Sequence, residues 1–213
     1  MELKSGWLYL RAMPLLIRFL GTAASRPTVE RNVPAIALIR EGETLLFDCG
    51  EGTQRQMMRY GVSFNLDDVF FTHFHTDHFL GIVGLLRTMS LQGRTAPLRA
   101  WGPRGAARIL KHREIFGVDR LTFELDVREL AAGDTVSRKD YSIVAFELEH
   151  KGPPTLGYAL VESERRGRFN PELARRLGIP EGPLWGKLHS GQQVTLADGR
   201  VIDPSVLVGP PRP

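Results

Sequence analysis

His73, His75, Asp77 and His78 fall within six positions in the order His-x-His-x-Asp-His, and all four are metal-ligating types. Imidazole nitrogens and carboxylate oxygens bind a divalent ion such as zinc at about 2.0–2.2 Å, so the donors must converge closely. In an extended segment alternate side chains share a face, which lets His73 and His75 hold one ion together. Asp77 and His78 follow where the chain turns, and from there they can offer donors to a second ion. Two ions roughly 3.5–4 Å apart polarise a phosphoryl group and generate hydroxide. The competing reading is a histidine-rich surface loop. The ordered spacing directly after the apolar run Val69-Phe70-Phe71 argues against it.

These donors need elements to position them. Residues 69–71 read as the strand that delivers the cluster. Upstream, residues 15–20, 35–40 and 44–47 read as strands of a meander with a tight turn at 41–43. Asp48-Cys49-Gly50-Glu51-Gly52-Thr53-Gln54 leaves the third strand and opens a helix reaching about residue 60. Its glycines permit close backbone approach. Asp48 has two open readings: it accepts an N–H from a ligating histidine and fixes its tautomer, or it is a turn residue. Residues 80–92 read as a helix with Ile82, Leu85, Leu86 and Met89 facing the core. Residues 98–101 read as a strand, and Gly102-Pro103-Arg104-Gly105 caps it before a helix over 106–116. Residues 121–130 and 142–147 read as strands, the latter with Ile143 and Ala145 on one face. His150 ends that strand and is a candidate third ligand for the ion of His73 and His75.

The character changes after Glu162. A short helix over 171–177, a Gly/Pro-rich stretch over 178–186 and a hairpin over 194–202 around Asp198-Gly199 contain no long hydrophobic run. This reads as a protruding arm with Trp185 exposed. Its Arg165, Arg166, Arg168, Arg175, Arg176 and Lys187 suit phosphate and sugar contacts.

The totals bound the problem. A chain of 213 residues suits one domain, or one and an appendage. The expected division is an extension over 1–12, with Met13 reading as a natural start, a domain over 13–162 and the arm over 163–213. Cys49 is the single cysteine, which excludes an internal disulfide and thiolate zinc sites and fits a cytoplasmic setting. Residues 79–120 hold eight Arg/Lys against two Asp/Glu, a basic block that a polyanionic substrate would favour. No apolar stretch approaches the ~18–20 residues of a membrane span. Arg11 and Arg18 interrupt the apolar run over 7–20 and argue against a signal peptide.

The His-x-His-x-Asp-His run resembles the signature of the metallo-β-lactamase superfamily of hydrolases. Phe19-Leu20-Gly21-Thr22, the Asp48–Gln54 run, His150 through Gly157-Tyr158, and Gly178-Ile179-Pro180-Glu181-Gly182-Pro183-Leu184 are similar to stretches of the ribonuclease Z family within it. The resemblance implies an α/β (α+β) fold, the αββα sandwich of the superfamily, present here as its first half plus the arm. It implies one zinc on His73, His75 and His150 and another on Asp77 and His78, with Mn2+ or Mg2+ as substitutes. Asp77 would also act as general base. The implied reaction removes the 3′ trailer of precursor tRNA, leaving a 3′-hydroxyl and a 5′-phosphate. The implied partners are precursor tRNA and a second copy in a homodimer, with no membrane. Gly178, Pro180, Gly182, Pro183 and Lys187 would contact tRNA from the arm, and Arg31 and Asn32 from the loop at 27–32. In that loop Val29 stands where the family carries lysine, which bears on where cleavage falls relative to CCA. The family also places a bridging aspartate and a late histidine beyond the equivalent of Pro213, so the chain is expected to be an amino-terminal portion. The alternatives are another phosphodiesterase of the superfamily, or a tRNA-binding protein without catalysis.

Overall fold

The computed structural model describes residues 15–112, 120–164 and 166–211. The expected extension over 1–12, the start at Met13, Arg165 and the end of the helix over 106–116 lie outside them. Strands β1 (Leu16–Gly21), β2 (Ala35–Arg40) and β3 (Glu43–Phe47) form an antiparallel meander. The β2–β3 turn works because Glu41 and Gly42 both take positive φ, 51° and 88°, the combination a two-residue hairpin needs.

The chain then changes mode. β3 pairs in parallel with β4 (Asp68–Phe70), β4 with β5 (Leu98–Gly102) and β5 with β6 (Leu125–Glu129), completing a six-stranded sheet in sequence order. Parallel neighbours require crossovers. Helix α1 (Thr53–Arg59) provides the first, α2 (Thr76–Phe79) and α3 (Ile82–Leu91) the second, and α4 (Ala106–Lys111) the third. Ile82, Leu85, Leu86 and Met89 of α3 are buried as their spacing predicts, in one cluster with Leu46, Val69 and Ala100 of the sheet and with Phe71 just past β4. Because β3, β4 and β5 run the same way, their carboxyl ends share one rim, where ligands of open α/β sheets bind. At the other margin, β1 leaves Ile17 and Phe19 half exposed.

A further three-stranded sheet has the order β7 (Thr135–Ser137), β8 (Tyr141–Glu147), β9 (Leu156–Glu162). The chain divides into two compact units, and the divisions fall inside β8 and β9. One unit holds the residues up to Asp134 with Val144–Ala159; the other holds Thr135–Ile143 and the residues from Leu160 onward.

In the second unit, α5 (Pro171–Arg176), α6 (Pro183–His189) and the hairpin of β10 (Val194–Thr195) and β11 (Val201–Ile202) enclose Ala174, Ile179, Leu188, Val194 and Ile202. The segment read as a protruding arm has a small core of its own. Trp185, expected to be exposed, is half-buried, donates its indole N–H to the Ile179 carbonyl at 3.2 Å and carries the Arg175 guanidinium over its ring. The Gly/Pro-rich reading overlooked α6, since proline at a first helical turn forfeits no hydrogen bond. Strand β6 is shorter than the 121–130 expected, and β9 was not expected. No helix among the described residues is long and apolar enough to cross a membrane.

The tightest approach in the first unit is backbone on backbone. A Cβ on Gly81 would lie 1.8 Å from the Gly50 carbonyl oxygen, whereas one on Gly186 would meet nothing within 4 Å. Gly81→Ala should therefore cost about 2–3 kcal/mol or more in urea unfolding. Gly186→Ala, at an open helical position, should be neutral or stabilising by up to ~1 kcal/mol. Equal unfolding midpoints for G81A and the unmodified chain would contradict this packing.

Candidate metal centre

β4 ends at Phe70, and residues 71–75 run on without regular structure until α2 begins at Thr76. His73 is buried, while His75 and His150 are exposed. His75 Nδ1 lies 3.2 Å from His73 Nε2 and 3.2 Å from His150 Nε2. One nitrogen from each of the three lies within 4.8 Å of the others. Donors at the corners of a tetrahedron with bonds of 2.0–2.1 Å stand about 3.3–3.4 Å apart. Two of the three spacings, His75 to His73 and His75 to His150, match that separation, and the three imidazoles form a group that can hold one small ion. Strand alternation does not bring His73 and His75 together, because the strand has already ended.

What orients them starts at Asp48. At the end of β3 this residue takes a left-handed conformation, φ 57°, which aspartate tolerates better than most residues. Its carboxylate accepts the Thr72 N–H at 2.8 Å and the Nδ1–H of His78 at 2.8 Å. It also accepts the Thr72 hydroxyl at 2.9 Å. That hydroxyl has one proton and gives it to the carboxylate, so its contact of 2.9 Å with His73 Nδ1 must be an N–H donated by the ring. Protonation at Nδ1 leaves the Nε2 lone pair of both His73 and His78 free. One carboxylate therefore sets two tautomers, His78 directly and His73 through Thr72, the outer-ring support that metal-ligating histidines require.

Electrostatics separates the two rings. Burial, and then the neighbouring His78 imidazole, push His73 down to about 4, so its ring is neutral and able to ligate at neutral pH. Burial pulls on His78 too, but the hydrogen bond and charge of Asp48 outweigh it and hold the ring above its ordinary value. Burial pushes the Cys49 thiol up to about 12, which keeps it a thiol rather than a ligand.

Asp77 and His78 form a smaller set. Asp77 Oδ2 lies 3.6 Å from His78 Nε2 and accepts the Ser25 N–H at 2.9 Å. The His73 and His78 rings approach to 4.1 Å between centroids, so all five predicted ligands are contiguous. Two donors alone do not close a second site.

Beneath them, Phe47, Phe70 and Trp101 stack across β3, β4 and β5 at 5.1 and 6.1 Å. Tyr158 packs edge-on against Phe70 and donates its hydroxyl to the Phe71 carbonyl at 2.7 Å. Thr72 and this aromatic floor escape sequence reasoning, because a threonine before a histidine carries no distinctive signal.

The remaining predicted residues lie elsewhere. Asn32 donates from Nδ2 to the Glu51 carbonyl at 2.8 Å, Arg31 donates its N–H to Thr28 Oγ1 at 2.9 Å, and Val29 is 94% exposed. They line or adjoin a hollow of about 690 Å³ between the 27–32 loop and α1. Gly178, Pro180, Gly182, Pro183 and Lys187 belong to the second unit, with Gly178 closing α5, Gly182 and Pro183 starting α6 and Lys187 exposed on it.

A sequence profile of the beta-lactamase superfamily domain matches residues 43–208. The chain belongs to the beta-lactamase superfamily. Its fold is the metallo-β-lactamase fold, with mixed α/β content. Among superfamily relatives, Ribonuclease Z of Gemmatimonas aurantiaca is 68% identical over 198 residues, covering 92% of this chain and 63% of that protein. Ribonuclease Z of Myxococcus xanthus is 50% identical over 199 residues, covering 93% and 64%. The chain thus spans a little under two thirds of the length of these relatives. The crystal structure of human tRNase Z, short form, is 32% identical with a TM-score of 0.61, covering 68% of this chain and 64% of that one. Zn2+-bound PqqB from Methylobacterium extorquens, 13% identical with a TM-score of 0.54 over 86% and 82% of the two chains, is a likeness of fold alone.

If Thr72 carries the Asp48 charge to His73, Thr72→Val should weaken zinc binding about 10- to 100-fold, and Thr72→Ser should restore it to within a few-fold. Competition titration against a chromogenic chelator measures both. Undiminished affinity in T72V would contradict the relay.

Proposed function

We propose that this chain carries the metal-binding part of an endoribonuclease that removes the 3′ trailer of precursor tRNA, leaving a tRNA 3′-hydroxyl and a trailer 5′-phosphate. The observation that carries the reading is the convergence of His73, His75 and His150 on the rim of a parallel sheet, in a chain 68% identical to a Ribonuclease Z. Three imidazole nitrogens suit zinc, whereas Mn2+ and Mg2+ favour oxygen donors and are the weaker fits. When bound, such an ion acts as a Lewis acid on a phosphoryl oxygen and makes water acidic enough to attack at neutral pH.

The chain's own groups do the rest. His73, His75 and His150 hold the first ion, and Asp77 with His78 contributes to a second. Asp77, anchored by the Ser25 N–H, takes the proton of the attacking water. Asp48 and Thr72 keep the ring nitrogens aimed. Arg31 and Asn32 contact RNA near the cut, and Gly178, Pro180, Gly182, Pro183 and Lys187 contact it from the second unit. The working form is a homodimer in the cytoplasm; the buried, unreactive Cys49 is in keeping with that compartment.

The test is a zinc-replete chain incubated with a 3′-extended precursor tRNA. The expected result is metal-dependent trailer release, lowered at least ~100-fold in Asp77→Ala if that carboxylate is the general base. Salt-sensitive tRNA binding without cleavage under Zn2+ or Mn2+ would favour a non-catalytic binder instead. Turnover of a model phosphodiester that survives deletion of residues 163–200, with no tRNA processing, would favour another phosphodiesterase of the superfamily.

A further inference from the structure

We propose that the exposed face of α4 and the turn before it form a track for the phosphate backbone of RNA, built by Arg104 of the turn and Arg108 and Lys111 of the helix. The inference rests on the RNA-cleaving reading above. The basic block over 79–120 is only a composition until the fold sorts it. Arg94 is spent on the carbonyls of Ala96 and Pro97, and Arg99 on the buried Asp68 carboxylate. At about 100° per residue, Arg108 and Lys111 of α4 project within a 60° arc, and Arg104 stands exposed in the turn just before the helix. Ala106 and Leu110, on the opposite side of the same turns, are buried in the core.

All three cations are exposed, and none makes an ion pair among the described residues. Other exposed arginines are engaged: Arg128 with Asp126, Arg175 with Glu181 and Arg200 with Asp198. Glu129 already accepts the Gly105 and Ala107 N–H groups, at 2.9 and 3.2 Å. The amides at the helix start are therefore taken, and an anion must be met by the side chains.

Position gives the track its purpose. The 102–105 turn follows β5 on the rim that carries the metal ligands, and Phe71 N–H bonds the Trp101 carbonyl at 2.7 Å. A Cβ on Gly102 would stand 3.2 Å from both the Phe74 ring and the Ala106 side chain. Phe74 lies between His73 and His75, so α4 begins against the ligand loop and leads away from it. A row of unpaired cations there neutralises phosphates without reading bases, which fixes the register of a strand on a cutting site. The strand is either the trailer or the tRNA body, since both present the same phosphates.

The experiment measures anisotropy of labelled RNA on the zinc-loaded 213-residue chain across a salt series. The test variant is R104A/R108A, the charge-matched control is R87A/K139A, and thermal unfolding checks that both are folded. R108A alone, at a helical position where alanine is well tolerated, is a second probe. The RNAs are a precursor tRNA, a mature-length tRNA and a single-stranded trailer oligonucleotide. The expected result is affinity lowered about tenfold in R104A/R108A, with the log–log salt slope reduced by about 1.5–2. R108A should show roughly half that slope change, and the control should match the unmodified chain. A loss seen with the trailer oligonucleotide assigns the trailer, and a loss confined to mature-length tRNA assigns the tRNA body; either supports the track. Test variant and control binding equally well would overturn the track and leave the RNA-cleaving reading intact. No binding of any RNA by the unmodified chain would overturn both.

Discussion

The Asp48 carboxylate is the constraint on which the centre depends. A charge this buried is tolerable only when donors surround it, and Thr72 and His78 supply them. The same bonds dictate which nitrogen of His73 and His78 carries the proton, so burying the charge and preparing the ligands are one event. The distance is held by backbone. Cys49 donates to the His78 carbonyl at 2.6 Å and Gly81 donates to the Cys49 carbonyl at 2.9 Å. Only residues without side chains, Gly50 and Gly81, allow the two segments so close.

The parallel order of β3, β4 and β5 converts this local network into a site. It places Asp48, the histidine loop and the turn before α4 on one rim, though Asp48 and Gly102 are 54 positions apart in sequence. The stacked rings of Phe47, Phe70 and Trp101 make the layer below apolar, which strengthens the hydrogen bonds above it by excluding water. Tyr158 ties the returning chain to that layer near His150, and Leu156 N–H bonds the Thr72 carbonyl at 2.9 Å. His150 is thereby brought to His75 across 75 positions of sequence.

Much of this was legible in the residues, for uneven reasons. The meander and α3 were readable because hydrophobic period and turn chemistry agreed, as at Glu41-Gly42 and at Ile82, Leu85, Leu86 and Met89. The grouping of His73 with His75 was anticipated from strand alternation, whereas the loop is irregular there and hydrogen bonds do the positioning. Thr72 could not be singled out, because its role exists only once Asp48 is folded against it. The second unit was misjudged for a related reason. Its core residues, such as Ala174, Ile179 and Leu188, come in ones and twos rather than in a run, and Pro183 looked like a loop residue where it starts a helix.

The central claim is that three imidazoles, with the tautomer of His73 preset through Thr72, converge on one ion. X-ray absorption at the zinc edge of the loaded chain tests it most directly. The account predicts nitrogen neighbours at about 2.0–2.1 Å with the outer scattering of three imidazoles, and the loss of one imidazole in His150→Ala. A spectrum with fewer than three imidazoles, or one that His150→Ala leaves unchanged, would contradict it.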